Sequence, residues 1–175
     1  MSNSLDIFIN QLHEHWGELS SDLTLKSKQL LEQLCKDCIN DDWVKQLLID
    51  KPAAKTIYED PKYGFILNAH VEQAGEQSPP HDHGDGWVLY AMVTGDVAMG
   101  IYHKTFTQDG DVRLVQKDLY HLTAGQCSVY LPGDIHDTTT MENNSIMLRL
   151  TSCDFHQEVA EGRLTRYTDN ITKWN

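Results

Sequence analysis

Hydrophobic residues in the first 50 positions recur every three or four residues, the spacing that places side chains on one face of an α-helix. The pattern begins with Leu5 and Leu12. Ser21 and Asp41 stand where short polar side chains cap the first amide groups of a helix, and Pro52 prevents a helix from continuing. Residues 1–52 are therefore predicted to form a helical segment, with helices near 5–17, 21–38 and 41–49.

Beyond Pro52 the pattern changes to short runs that are rich in β-branched and aromatic residues. Gly, Pro, Asp and Asn separate the runs, and Asp109-Gly110 is a residue pair that tight hairpin turns prefer. Because many short strands follow one another without helices between them, we expect a barrel or two-sheet jelly roll over residues 53–175, with the helices packed on it. The predicted strands lie at 65–71, 87–93, 97–105, 112–122, 128–131 and 146–150.

The length of 175 residues suits one well-buried domain, and we predict a single domain over residues 1–175. No run of about 18 apolar residues could span a bilayer, and the first residues lack the basic start and apolar stretch of a secretory signal. A cytoplasmic location without a membrane partner is therefore expected. The formal net charge of −12 would repel a phosphate backbone, so nucleic-acid binding is not expected.

The four cysteines are predicted to be free thiols, because nothing in the chain indicates secretion. Cys35 and Cys38 have the spacing of half a zinc site or of a redox pair. They fall in a predicted helix and have no second pair to complete four ligands, so we interpret the spacing as incidental.

The segment 75–87 contains two histidines, His81 and His83, after the pair Pro79-Pro80. Residues two apart on an extended chain project from the same side, so both imidazoles can reach one metal ion inside a barrel. The two prolines favour an extended approach to the histidines. This segment is the first candidate for a metal site.

A second block, 131–136, places His136 after a glycine turn at the start of another predicted strand. Together the two blocks resemble the paired sequence motifs of the cupin family, and the resemblance covers about residues 65–152. It implies a mainly β cupin fold, the double-stranded β-helix or jelly-roll barrel, in which His81, His83 and His136 bind one divalent metal. Pro132 stands one place later than usual, and Thr140 stands where Asn is frequent. The positions that carry the resemblance are Gly75, His81, His83, Gly95, Gly125, Gly133 and His136.

The cupin motif usually supplies a glutamate ligand as well, and here that position is Val88. Asp85 is the nearest carboxylate, three residues out of step, and is kept as an alternative ligand. Three neutral imidazoles leave the full +2 charge on the metal and keep coordination positions open. Such a site is suited to an anionic substrate, water or O₂.

Among cupins, a three-histidine site resembles the thiol dioxygenases of the cysteine dioxygenase type, which use ferrous iron, a substrate thiolate and O₂ to make a sulfinate. The chain departs from that pattern in three places. Residues 147–151 lack the family's Ser-x-His-x-Tyr element, Val88 replaces the cysteine that some members join to that tyrosine, and no arginine precedes Arg113. Cysteine itself is therefore a doubtful substrate.

Strand alternation and the alignment place Arg149 and Tyr90 on the side that faces the metal. The Arg149 guanidinium could bind a substrate carboxylate, and Tyr90 could donate a hydrogen bond to substrate or bound oxygen. An outward arginine and a packed barrel tyrosine are the alternatives. His70 and His103 lie on predicted strands, where they are either outer groups of the site or ordinary core and surface histidines.

These observations lead to the hypothesis of a non-haem iron dioxygenase that acts on a small anionic substrate, such as a thiol, with O₂. In that hypothesis Arg149 and Tyr90 are the catalytic residues beside the three-histidine iron. One alternative is a cupin hydrolase, isomerase or lyase that uses Zn²⁺, Ni²⁺ or Mn²⁺ as a Lewis acid. Another is a metal- or ligand-binding cupin without catalysis. A homodimer is left open.

Overall fold

The computed structural model describes residues 3–174, and its N-terminal segment is helical as predicted. The Asn3 side chain caps the first helix by accepting from the Asp6 amide, and Ser20, one residue before the predicted cap, does the same for Leu23. The first helix stops two residues early because Trp16 adopts an extended backbone and stacks on Trp87, with ring centroids 5.3 Å apart. The elements are α1 (Ser4–His15), α2 (Ser21–Asp37), a 3₁₀ turn (Cys38–Asn40) and α3 (Asp42–Asp50).

The rest of the chain forms two five-stranded sheets that face each other. The first sheet has the order β1-β2-β9-β4-β7 and the second has the order β10-β6-β5-β8-β3. Every neighbouring pair is antiparallel except β10 and β6. The strands are β1 (Lys55–Glu59), β2 (Ile66–Glu72), β3 (Gln77–His81), β4 (Val88–Thr94), β5 (Asp96–Phe106), β6 (Val112–Thr123), β7 (Cys127–Tyr130), β8 (Ile135–Thr140), β9 (Ser145–Thr151) and β10 (Ile171–Thr172).

Strands β2 to β9 divide four and four between the sheets, which is the double-stranded β-helix of the cupin fold. The prediction of a mainly β cupin with N-terminal helices packed on it is confirmed. The helices cover the outer face of the first sheet, where apolar residues such as Leu89 and Leu148 are fully buried. Val88, Tyr90 and Met147 point the opposite way, into the space between the sheets. The first sheet is therefore buried on both faces.

The outer face of the second sheet is covered in part by the C-terminal tail, residues 163–174. A small apolar cluster of Tyr102, Leu114 and Ile135 lies there, with Tyr167 and Ile171 of the tail packed against it. The tail ends in β10, which pairs with β6. The tail was not predicted as structure, because its sequence is polar and only two of its residues pair as a strand.

The structure adds elements to the predicted ones. Strands β1 and β3 and a six-residue helix α4 (Phe155–Ala160) were not predicted, since β1 is exposed and β3 contains two prolines. The turn at Asp109-Gly110 is a five-residue loop, 107–111, rather than a tight two-residue hairpin. Gly110 still takes the positive φ of 89° that favours glycine. Within residues 3–174, no helix is long and apolar enough to cross a membrane.

Candidate metal centre

The three predicted histidines come together between the two sheets. His81 is the last residue of β3 and is paired across the ladder with His136 of β8. His83 follows in the loop between β3 and β4, so it does not share an extended strand with His81 as predicted. The loop nevertheless returns His83 to the same point, and one ligand nitrogen from each imidazole lies within 4.8 Å of the other two.

A turn after β3 directs His83 inward. The Asp82 carboxylate accepts hydrogen bonds from the amides of Gly84 and Thr165, at 3.2 and 2.9 Å. Gly84 has a φ of +61°, a region in which a side chain would be strained. His83 lies between Asp82 and Gly84, and this turn buries its side chain, with only 1% of its surface exposed.

Hydrogen bonding orients the imidazoles toward each other. His81 Nδ1 donates to the Pro79 carbonyl over 2.8 Å, which leaves the lone pair on Nε2. His83 Nε2 and His136 Nε2 lie 3.3 Å apart. Two nitrogen ligands about 2.0 to 2.1 Å from one ion at a tetrahedral angle would be about 3.3 to 3.4 Å apart. The observed separation fits two ligands of the same metal.

The protonation state also suits a metal. Burial, aided by His81 and Arg149, lowers the pKa of His83 to about 3. Burial likewise places the pKa of His136 well below its usual value and lowers that of His81. All three imidazoles are therefore neutral near pH 7, which is the form that binds divalent metals.

Aromatic rings enclose two of the histidines. Tyr130 stacks on His136 with centroids 4.1 Å apart, and Phe155 stacks on His83 at 5.0 Å. These contacts reduce the freedom of the two imidazoles; Tyr130 is buried, whereas Phe155 is half-buried and lines the larger cavity. Phe155 belongs to α4, so this contact could not be anticipated from the two sequence motifs.

Tyr90 and Arg149 lie side by side beside the cluster, because β4 and β9 pair these two residues directly. The Tyr90 hydroxyl is 3.3 Å from His83 Nε2. Burial raises the pKa of Tyr90, and the Arg149 guanidinium partly opposes this rise, so Tyr90 keeps its proton. Arg149 is half-buried, and its Nε has no hydrogen-bond partner among residues 3–174. The outward orientation considered for Arg149 is thus not what the structure shows.

Two adjoining cavities, of about 380 and 200 Å³, open beside the histidines. Asn68 lines the larger one and Glu72 the smaller. Five residues line both cavities: His70, His81, Tyr90, Arg149 and Arg166. Arg166, in the C-terminal tail, was missed by the sequence analysis, because neither motif extends that far and the tail carries no hydrophobic pattern.

The other residues considered as part of the site differ in their distance from it. His70 lies at both cavities, donating from Nδ1 to the Ala53 carbonyl over 2.7 Å, and burial lowers its pKa to about 4. His103 is exposed on β5 and lines neither cavity. Asp85 pairs instead with Arg163 over 3.4 Å and its side chain is 84% exposed, so it stands apart from the three-histidine group. Val88 is fully buried and cannot supply a ligand.

The four cysteines are free thiols, as predicted. Cys35 and Cys38 are buried between the helices and the first sheet. Burial raises the pKa of the Cys38 thiol to about 12, which keeps it protonated. The incidental interpretation of this pair agrees with its apolar surroundings.

No protein-family model and no curated protein matches the chain. Among solved structures, KdgF from a Halomonas species is 15% identical with a TM-score of 0.45, covering 56% of this chain and 74% of that one. The Schizosaccharomyces pombe Cnp3 cupin domain is 8% identical with a TM-score of 0.44, over 62% and 69%. A Klebsiella pneumoniae protein with a double-stranded β-helix domain is 17% identical, with a TM-score of 0.42 over 58% and 71%.

These likenesses say nothing about activity. The strand order of the chain itself defines the fold. The molecule is thus a cupin with a cluster of three neutral histidines, two of them buried, that could hold a metal ion, next to a cavity with cationic groups.

Proposed function

We propose that the protein is a metal-dependent cupin enzyme, a non-haem iron dioxygenase that acts on a small anionic substrate with O₂. The observation that carries the proposal is the convergence of His81, His83 and His136, all neutral, beside a cavity of about 380 Å³. Ferrous iron held by these three nitrogens would bind the substrate anion, for example a thiolate, and supply an electron to O₂.

The residues around the cluster have separate tasks in this proposal. The Arg149 guanidinium binds an acidic group of the substrate and so orients it toward the histidines. The Tyr90 hydroxyl, protonated and 3.3 Å from His83, donates a hydrogen bond to a ligand atom beside the cluster. The rings of Tyr130 and Phe155 hold the imidazoles of His136 and His83 in position.

A second candidate is a Lewis-acid enzyme that uses Zn²⁺, Ni²⁺ or Mn²⁺ for hydrolysis, isomerisation or elimination. The specific observation in its favour is the content of β9. The residues that face the site from this strand are Met147, Arg149 and Thr151, where thiol dioxygenases have a serine, a histidine and a tyrosine. Chemistry that needs no tyrosine beside the metal would tolerate this composition.

The two candidates differ in metal and in O₂ use. The protein should be purified without added metal, analysed for elements, and reconstituted with Fe²⁺ under anaerobic conditions. Near-stoichiometric iron and substrate-dependent O₂ uptake with small thiols or carboxylates are expected from a dioxygenase. Stoichiometric Zn²⁺, Ni²⁺ or Mn²⁺ without O₂ uptake would replace it with the Lewis-acid enzyme, and failure to retain any metal would refute both.

A further inference from the structure

The C-terminal tail adds a cationic side chain to the cavity. The amide of Tyr167 donates to the Pro80 carbonyl over 2.8 Å, and the amide of Asp82 donates to the Thr165 carbonyl over 3.0 Å. Arg166 therefore sits opposite His81 in an antiparallel bridge. The tail is joined to the end of β3 by this single bridge, and Arg166 occupies the position directly opposite a candidate metal ligand.

Strand alternation explains why this arginine points inward. Neighbouring residues of an extended chain project from opposite sides. Tyr167 packs against the apolar cluster on the outer face of the second sheet, and its hydroxyl donates to Asp82 over 3.0 Å. The preceding residue, Arg166, consequently faces the two cavities, which it lines together with Arg149.

The two arginines have no acidic partner in the cavity. Among residues 3–174, neither forms an ion pair with a carboxylate. Two carboxylates line the cavities, and both have other partners. Asp154 caps α4 by accepting from the His156 amide. Glu72 accepts from Thr140; burial raises its pKa, and the Arg149 guanidinium opposes this rise from a distance, without an ion pair among these residues.

The charge of this region is opposite to that of the whole chain. The chain carries a formal net charge of −12, yet its main cavity is lined by two arginines that form no ion pair within residues 3–174, next to a cluster suited to a divalent cation. Arg149 is half-buried and its Nε lacks a partner in the described chain, whereas Arg166 is exposed and open to water, so a second acidic group on the ligand would find a second guanidinium beside the first. Complementary charge therefore calls for a ligand with two acidic groups.

We propose that the substrate of this site is a small organic molecule with two acidic groups, one bound by Arg149 beside the histidines and the other by Arg166 at the cavity mouth. This inference rests on the proposed function, since it assigns a substrate class to the same site. Arg166 is then a residue that determines specificity, and the tail is the part of the chain that provides it.

Calorimetric titration with matched acids tests the proposal. Malonate, succinate and glutarate are compared with propionate, butyrate and valerate, so that each dicarboxylate has a monocarboxylate of equal chain length. Zn²⁺-loaded and metal-free protein are titrated in parallel. At least one dicarboxylate is expected to bind about tenfold or more tightly than its matched partner, because each charge-assisted contact is worth about that much.

Two variants assign the preference. Arg166→Gln lies on the exposed tail and should fold normally; it is expected to remove the preference for dicarboxylates while metal content stays unchanged. Arg113→Gln is the control, an exposed arginine on β6 that lines neither cavity, and it should bind like the native protein. Metal content and a thermal melt are recorded for each protein.

The outcomes separate this inference from the proposed function. Equal affinity for matched mono- and dicarboxylates in the native protein, or a preference that survives Arg166→Gln, would overturn the two-acid substrate while metal binding and O₂ uptake remained. Loss of metal with a preserved dicarboxylate preference in the metal-free protein would instead overturn the proposed enzyme and leave the two-arginine site standing.

Discussion

The two faces of strands β4 and β9 carry different kinds of residue and have different tasks. On the helix side, Leu89, Leu148 and Leu150 are fully buried in an apolar cluster. On the side between the sheets, the same strands present Tyr90 and Arg149 to the cavity beside the histidines. Because successive residues alternate in direction, one pair of strands contributes both to the main core and to the candidate site. Stability and chemistry are thus encoded at alternate positions.

The two faces also differ in how well their polar atoms are satisfied. Of the five buried side-chain atoms without a hydrogen-bond partner in the described part of the chain, only Ser27 Oγ lies under the helices. The other four belong to residues between the two sheets: His70 Nε2, His83 Nδ1, His136 Nδ1 and Arg149 Nε. Such atoms cost free energy when left unpaired. His70 and Arg149 line the cavities, so their unpaired nitrogens are available to a ligand, whereas the unpaired Nδ1 atoms of His83 and His136 are not the nitrogens that these two rings turn toward each other.

The largest expected effect comes from His136→Ala, which removes a candidate metal ligand of β8 from the space between the sheets and leaves the helix-facing core intact. Loss of one of three ligands should weaken metal binding by more than about a hundredfold, since even outer groups that only orient a ligand cost ten- to a hundredfold. Metal retention is measured by competition with a chromophoric chelator. His103→Ala, which removes an exposed histidine from the second sheet, is the matched control. Full retention of metal by the His136 variant would show that the ligand set is wrong.

Leu148→Ala breaks the opposite face. The residue is fully buried among the helix-facing side chains, so its truncation should lower the free energy of unfolding by about 2–5 kcal/mol. Urea unfolding of the metal-free protein measures this change. Metal affinity should stay within about twofold of the native value, because no site residue loses a contact. A large change in metal affinity would mean that the two faces are mechanically coupled.

Much of this division could be predicted from the sequence, because alternation along a strand is a local property. Alternation at 87–93 and 146–150 showed which residues share a face, and the resemblance to cupins indicated that the face with Tyr90 and Arg149 is the inner one, with an outward Arg149 as the alternative; in the structure both residues line the cavity. The three histidines were identified from two short motifs with fixed spacing. Helix positions followed from periodicity. The first helix was predicted to continue past His15, because the stacking of Trp16 on Trp87 that accompanies its end is a long-range contact and leaves no local pattern.

What could not be predicted depends on contacts between distant parts of the chain. Arg166 reaches the cavity only because the tail pairs with residues 80–82, and nothing in the tail sequence identifies that partner. Phe155 stacks on His83 from a short helix without a strong pattern. The role of His70 likewise depends on the Ala53 carbonyl, which fixes its free nitrogen toward the cavity. Sequence reasoning left His70 and His103 equivalent, whereas the structure separates them.

The pH dependence of stability sharpens the comparison at His70. Burial, with Arg149 adding to it, lowers the folded-state pKa of His70 from 6.5 to about 4. Between about pH 6.5 and 4, His70 is protonated in the unfolded chain and neutral in the folded chain. The free energy of unfolding therefore has its full value at this residue above about pH 6.5 and falls as the pH is lowered toward 4. The slope should reach about 1.4 kcal/mol per pH unit for this residue.

Comparison of His70→Gln with the native protein isolates that contribution. Urea unfolding of both metal-free proteins is measured between pH 7.5 and 5. The free energy of unfolding should fall less steeply with decreasing pH in the variant, and the difference in slope should correspond to at most one bound proton. The other buried histidines contribute equally to both proteins and cancel. Identical slopes would show that His70 takes up a proton as readily in the folded protein as in the unfolded one.

Tyr90→Phe is the mildest change, because it removes one oxygen and keeps the ring in the barrel. If the hydroxyl 3.3 Å from His83 Nε2 only fills space, the variant should equal the native protein in every measurement. If it donates to a ligand beside the cluster, turnover of whichever substrate supports O₂ uptake should fall about tenfold, with metal content and unfolding free energy nearly unchanged. Because Val88→Ala shortens a neighbouring inward-facing side chain without touching a hydrogen bond, it serves as the control for packing alone. A tenfold loss of turnover in Tyr90→Phe that Val88→Ala does not reproduce would assign the effect to the hydroxyl. Equal losses of turnover in both variants would show that Tyr90 acts only through its packing in the barrel.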